Sequence, residues 1–341
     1  MNASAKIEFQ ENPDKIVVNV SGYSYDLTTF FDRNDDREKK NAQEGNENLN
    51  ESEIENLPNM DIFVAVSNMW TNPEVPLKNF AGKALLRNGI GIHELHMSGN
   101  YGNNEAIKMK LDYIPKQNGE YMLSVDSNNA GTTLKVLRFY DYMQGGNMKI
   151  EARRDVNKHF FGHAQIRNFN IHNAPMAAKL FTVASFTSML NLLAGDGIAF
   201  SHFDAPFEYN DGELFINNAR AFGNVLGING GGTLNRTKES LNIKGVIAPA
   251  YSLNTFLGKI PLVGNLLSGK DGTVFAASYE IGGNFDNPEI SVNPLSALSP
   301  NSLKAYIIDF FVLIASIIEL YYLPLYISLH ISSYAVYNNI I

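Results

Sequence analysis

Four short stretches hold residue types that do chemistry, and each falls short of a geometric requirement. His93-Glu94-Leu95-His96 sits in a strand-like segment, where positions three apart point to opposite faces, so it lacks the i, i+4 spacing of a zinc-binding helix. His159 and His163 can share one strand face, but no third ligand accompanies them in sequence. Gly264 to Asp271 nearly fits the phosphate-loop pattern, except that Asp271 stands where a magnesium-binding hydroxyl is required and adds negative charge beside the phosphates. Gly230-Gly231-Gly232 lies inside a strand pattern with no helix after it, which reads as close packing or a bulge rather than a dinucleotide fingerprint. No Ser-His-Asp order or paired-carboxylate pattern stands out. The expectation is therefore a protein that is not an enzyme, with no catalytic, cofactor-binding or metal-binding residues.

Composition narrows the classes further. The chain has 341 residues, 45% of them hydrophobic, which is ample for a core. With 27 Lys+Arg against 35 Asp+Glu the formal net charge is −8, so there is no electrostatic footprint for a nucleic acid. The absence of cysteine excludes disulfides, thiolate metal sites and cysteine nucleophiles without fixing the compartment. The first twenty residues do not follow the pattern of a signal peptide.

The elements that would position any site are mostly strands. Ile7 to Phe9 and Ile16 to Val20 flank an Asn12-Pro13 turn, and Tyr25 to Phe31 is expected to start a short helix. Asp32 to Glu55 is polar and nearly free of large apolar side chains, too poor in burial to offset its ordering entropy, so a flexible loop is expected. Strands then recur near 60–68, 79–88, 90–99, 105–114 and 119–127, several with clean period-two alternation such as Ile62, Val64, Val66 and Tyr121, Leu123, Val125. Ala130 to Tyr142 has helical spacing, with Gly145-Gly146 as its stop. Strands resume at 147–155 and 159–171, and Pro175 opens an almost wholly apolar helix that Gly195 closes. The meander returns at 198–209, 213–222, 224–235 and 240–247, where Leu241, Ile243 and Ile247 oppose Asn242 and Lys244. Two brief helices are expected at 251–257 and 262–267, followed by a strand from Thr273 to Phe285 with Phe275, Ala277, Tyr279 and Ile281 on one face. The fold class predicted is mainly β with a few helices, a long antiparallel curved sheet. From periodicity alone, a plain sandwich core is favoured over a ligand groove.

The C-terminal stretch reverses that order, because its motifs resemble the AsmA-like proteins, the YhdP-like and TamB-related group of bacterial envelope proteins. The matching pieces are PA-x-x-LN at 249–254, IPL-x-G at 260–264, A-x-Y-x-I-x-G at 277–283 and P-x-I-x-VNPLSAL-x-P at 288–300, with weaker matches at 129–134, 145–146 and 195–200. The resemblance implies a β-groove whose apolar face shelters lipid acyl chains, and so a non-enzymatic module that assists phospholipid transport between the inner and outer membranes. A structural or regulatory factor in outer-membrane assembly is the alternative. Phospholipid and bacterial membranes would then be its partners, the periplasm or cell envelope its location, and a membrane anchor would lie in a missing N-terminal part. Candidate groove residues are Phe275, Ala277, Tyr279, Ile281, Leu241, Ile243, Ile247 and, on the apolar helix, Leu190.

The expected organisation is 1–31 as strands and a short helix continuing a longer groove, 32–57 as the polar loop, 58–305 as the AsmA-like domain and 306–341 as an atypical apolar tail. Ile307 to Leu323 approaches membrane-span length, but Asp309, Glu319 and Pro324 oppose insertion, each central acid costing about 2–3 kcal/mol. The tail is expected to be a foreign reading-frame extension of a fragment of a longer protein.

Overall fold

The computed structural model describes residues 4–12, 14–28, 55–71, 73–101, 108–137, 140–183, 187–235, 238–249, 277–284 and 288–293. Fifteen strands lie in one sheet in chain order. They are β1 (Ala5–Asn12), β2 (Lys15–Asp26), β3 (Met60–Trp70), β4 (Leu77–Arg87), β5 (Gly91–Tyr101), β6 (Lys108–Pro115), β7 (Tyr121–Ser127), β8 (Met143–Arg154), β9 (Phe160–Ile171), β10 (Ile198–Asn210), β11 (Glu213–Phe222), β12 (Leu226–Asn235), β13 (Ser240–Pro249), β14 (Ala277–Asn284) and β15 (Glu289–Asn293). Helix α1 (Ala130–Val136) precedes β8, while α2 (Pro175–Val183) and α3 (Thr187–Ala194) lie between β9 and β10. The fold is mainly β with few short helices, as the alternation predicts.

Two compact units divide the described residues, 4–128 with 132–137 and 129–131 with 140–293. In each, the pleat sends alternate side chains to opposite faces, and the apolar set falls on one of them. The first unit buries Val18, Val20, Ile62, Val64, Leu95, Leu111 and Leu123 in this way, and the second buries Ile150, Ile166, Phe203, Ile216, Ile243 and Ile281. Each fully buried aliphatic side chain stabilises the fold by about 1.5–3 kcal/mol relative to exposure.

Four sequence expectations need correction. The sheet is not wholly antiparallel: β2 and β3 pair in parallel, Ile16 beside Met60 and Asp26 beside Trp70. Parallel neighbours require a long return connection, and residues 27–59 supply it. Tyr25 belongs to β2 rather than to a helix, because its partner Met69 extends the ladder; the Asp26 carboxylate then accepts from the Thr28 N–H at 2.9 Å and hydroxyl at 2.6 Å. Helix α1 stops at Val136, and Gly145-Gly146 is not its stop but part of β8. Those glycines have φ of 69° and 92°, and a Cβ at Gly146 would sit 3.2 Å from that of Ala130, so the lack of a side chain at Gly146 lets α1 approach the strand. The apolar segment after Pro175 forms two helices rather than one. The polar loop apart from Glu55, the two brief helices, Phe275 and the 306–341 tail lie outside the described residues.

A buried charge joins three strands in the first unit. Asp61 on β3 is 6% exposed and pairs with Lys15 of β2 and with Arg87 of β4, whose Nη1 lies 2.8 Å from Oδ1. Burial pushes the carboxyl up, but hydrogen bonds and charge from Lys15 and Arg87 outweigh it and hold the group below the usual carboxylate range. A depressed folded value means that this stability is complete above the unfolded value near 3.8 and is lost as pH falls through the folded one. Asp61→Asn should therefore lower the unfolding free energy at pH 7 by about 1–3 kcal/mol, since both cations are partly exposed and can rehydrate. In urea melts at pH 7 and pH 3, the gap between variant and parent should narrow at the lower pH; a constant gap would contradict the charge account.

Candidate functional site

Six of the eight candidate residues form one continuous patch in the second unit. Within β13–β14 the register sets Ile243 opposite Ile281, Gly245 opposite Tyr279 and Ile247 opposite Ala277, so one face carries all of them. Leu241 stands at the same face opposite Gly283. The rows continue through β12, where Ile228, Gly230, Gly232 and Leu234 meet Ile247, Gly245, Ile243 and Leu241. On the other side Val292 and Ile290 of β15 face Tyr279 and Ile281. Tyr279 thus lies beside two successive glycines, Gly245 and Gly230, whose missing side chains leave space for a large ring. The opposite face is polar, with Lys244 and Glu280 directly paired at 2.5 Å.

This patch is closed in the centre and half-open at its margin. Ala277, Tyr279 and Ile281 are 1%, 2% and 0% exposed, and Ile243 and Ile247 are both 0% exposed. Ile290 and Val292 on β15 are only half-buried. Leu190, the seventh candidate, is also half-buried, whereas its helix neighbours Met189 and Leu193 are buried. Helix α2 contacts β15 and α3 contacts β10, and Lys179 Nζ donates to the Pro288 carbonyl at 2.9 Å just before β15. Leu180, Phe181 and Leu193 are buried side chains of this helix pair. The helix pair therefore sits beside the patch, anchored at its β15 margin.

The triple glycine is explained by packing. Asn217 and Asn218 of β11 together stand opposite Gly231, a bulge in which Asn218 takes a φ of 53°. A Cβ at Gly231 would lie 2.8 Å from the Ile216 carbonyl oxygen, and one at Gly232 would lie 2.1 Å from that of Asn242. No side chain fits there. The phosphate-loop-like segment lies outside the described residues.

The histidines are spread over both faces. His93 Nδ1 lies 3.2 Å from the Tyr121 hydroxyl on the apolar side, while His96 lies on the polar side between Asp112 at 2.7 Å and Glu94 at 2.8 Å. His159 rests against Phe161, and His163 meets Asp204 at 2.8 Å, with Gln165 donating to the same carboxylate oxygen at 3.1 Å. His202 is 3.9 Å from it. Burial pushes Asp204 up, but His163 and Gln165 outweigh that and hold it low. Because β9 and β10 supply this cluster from distant parts of the chain, no local motif signals it. Among the described residues, no group of three His, Cys, Asp or Glu side chains is arranged to hold a metal ion.

The first unit has an apolar depression of its own. Ile62 and Val64 of β3, Phe80 and Gly82 of β4 and Leu95 and Met97 of β5 line about 250 Å³ of empty space, part of it open to solvent. Gly82 and Ala84, between Val64 and Met97 and between Ile62 and Leu95 in register, produce the dip.

Stability should follow these burials. Ile243→Ala should cost about 2–5 kcal/mol and Ala277→Glu at least as much, because the glutamate enters a space that is closed to water. Leu193→Asp should be similarly severe, and Leu190→Asp milder, about 1 kcal/mol. Thermal and urea melting of the four variants would check the order; a Leu190 variant as damaged as the Leu193 variant would contradict the placement of α3.

Compared with known proteins, the chain matches no family model, no curated protein and no solved structure.

Proposed function

We propose that this chain is an acyl-chain-binding module, the C-terminal part of an AsmA-like protein of the bacterial cell envelope. In this reading it acts in the periplasm, without catalysis, and assists phospholipid transport between the inner and outer membranes. The observation that carries the proposal is the uninterrupted apolar row across β12–β15, with charge confined to the opposite face and with glycines and Ala277 thinning its floor. Such a surface offers acyl chains dispersion contact and no charged group to desolvate. The half-buried Ile290 and Val292 and the adjacent helix pair would form the point of entry. No helix among the described residues is long and apolar enough to cross a membrane, so these residues meet the bilayer, in this reading, through the sheet and its short helices.

One observation favours the alternative, a structural or regulatory factor in outer-membrane assembly. The closed centre of the patch, with Ile243, Ile247 and Ile281 at 0% exposure, is what a dry core looks like. Mass spectrometry of organic extracts from the purified full chain separates the two. The transport reading expects phospholipid that survives purification and whose amount falls several-fold in Val292→Glu, a margin substitution that should leave the melting temperature within a few degrees of the parent. Protein free of lipid, or lipid content indifferent to Val292→Glu, would favour the structural role.

A further inference from the structure

Among the described residues, no strand pairs with the outer edge of β1, the first in the sheet order. On its inner side β1 runs one residue against one with β2, from Ala5 beside Gly22 to Asn12 beside Lys15. Ser4 fixes which backbone groups face inward: its N–H donates to the Ser24 carbonyl at 2.8 Å, and its carbonyl accepts from the Tyr23 N–H at 3.2 Å. Backbone groups of an antiparallel strand alternate in direction, so those of Lys6, Glu8 and Gln10 also face β2, and those of Ala5, Ile7 and Phe9 point outward along the open edge. Side chains alternate as well. Ala5, Ile7 and Phe9 are half-buried on the apolar face, whereas Lys6, Glu8 and Gln10 are exposed on the polar one.

Edge strands are commonly blunted by a proline or a bulge, and between Ala5 and Gln10 β1 has neither. A strand added here must pair through the outward groups of Ala5, Ile7 and Phe9. When the added strand is β1 of a second copy running antiparallel, the charge pattern selects one register. With Ile7 of one copy opposite Ile7 of the other, Lys6 stands opposite Glu8 and Ala5 opposite Phe9, each twice by symmetry. Sliding one strand by two residues in either direction instead sets Lys6 against Lys6 or Glu8 against Glu8, which is repulsive. Lys6 and Glu8 already form an ion pair within the strand, so in the selected register the four charges alternate in sign around the axis.

We infer that β1 is a self-association edge whose partner is β1 of a second copy of this chain, joined antiparallel about a two-fold axis at Ile7. The outward residues exchange backbone hydrogen bonds in pairs, and the small Ala5 lies beside the large Phe9. Residues directly opposite each other share a face, so the apolar surface of one copy meets that of the other on the same side, and the half-buried Ile7 and Phe9 gain cover. The interface needs no lipid and is independent of the acyl-chain reading.

Analytical ultracentrifugation of the full chain over a wide concentration range should show a monomer–dimer equilibrium. Ile7→Pro removes only an outward N–H from each copy, so it should abolish the dimer while leaving the melting temperature within a few degrees of the parent. Lys6→Glu and Glu8→Lys, exposed substitutions that leave the fold intact, should each weaken association about tenfold by turning attractive pairs into repulsive ones. Combining the two in one chain should restore it. Because the chain has no cysteine, Ile7→Cys should oxidise to a disulfide-linked dimer, whereas Phe9→Cys, whose counterpart lies beyond disulfide reach in this register, should not. A chain that stays monomeric, a dimer indifferent to Ile7→Pro or to the single charge reversals, or linkage through Phe9→Cys rather than Ile7→Cys would overturn the inference.

Discussion

The pleat of a strand leaves no choice about where successive side chains go, and a sheet built strand after strand in chain order repeats that constraint fifteen times. In each of the two units alternate residues form an apolar surface, and the stability of that unit depends on keeping the surface from water. Slipping a single strand by one residue would exchange its apolar set for its charged one, so the register at Ile243–Ile281 and Ile166–Phe203 is held by the burial it creates. The polar face contributes less, because pairs such as Lys244–Glu280 remain exposed enough for water to compete.

Departures from the alternation are local and have identifiable causes. At Gly231 two asparagines stand against one glycine, and at Gly145-Gly146 two successive glycines with positive φ lie beside α1. At Gly231 a Cβ would come within 2.8 Å of a backbone oxygen, and at Gly146 it would come within 3.0–3.2 Å of side-chain atoms of Ile166, Phe169 and Ala130. The bulges keep the apolar set on its own face on either side of the interruption, so the surface passes through them unbroken.

Buried charge in this sheet is held by neighbouring side chains. Asp61 is neutralised by cations from both neighbouring strands, which makes it a cross-strand clamp whose partners are all present in the chain. Arg154, also buried, lies at the end of an apolar row with its guanidinium over the Phe160 ring.

Much of this architecture was legible in the chain itself. The period-two runs located the strands, and the faces assigned to Ala277, Tyr279 and Ile281 and to Leu241, Ile243 and Ile247 agree with their register, because alternation is a local property of the backbone. What the sequence could not determine depends on distant partners. The parallel pairing of β2 with β3 depends on where residues 27–59 return the chain, and the cluster at Asp204 depends on β9 and β10 lying side by side. Helix limits shifted for a related reason: helical spacing past Val136 lost to the ladder that Met143 forms with Ile171, a contact between residues far apart in the chain. Leu190 and Leu193 are equally apolar and sit three residues apart, yet only packing makes one half-buried and the other buried.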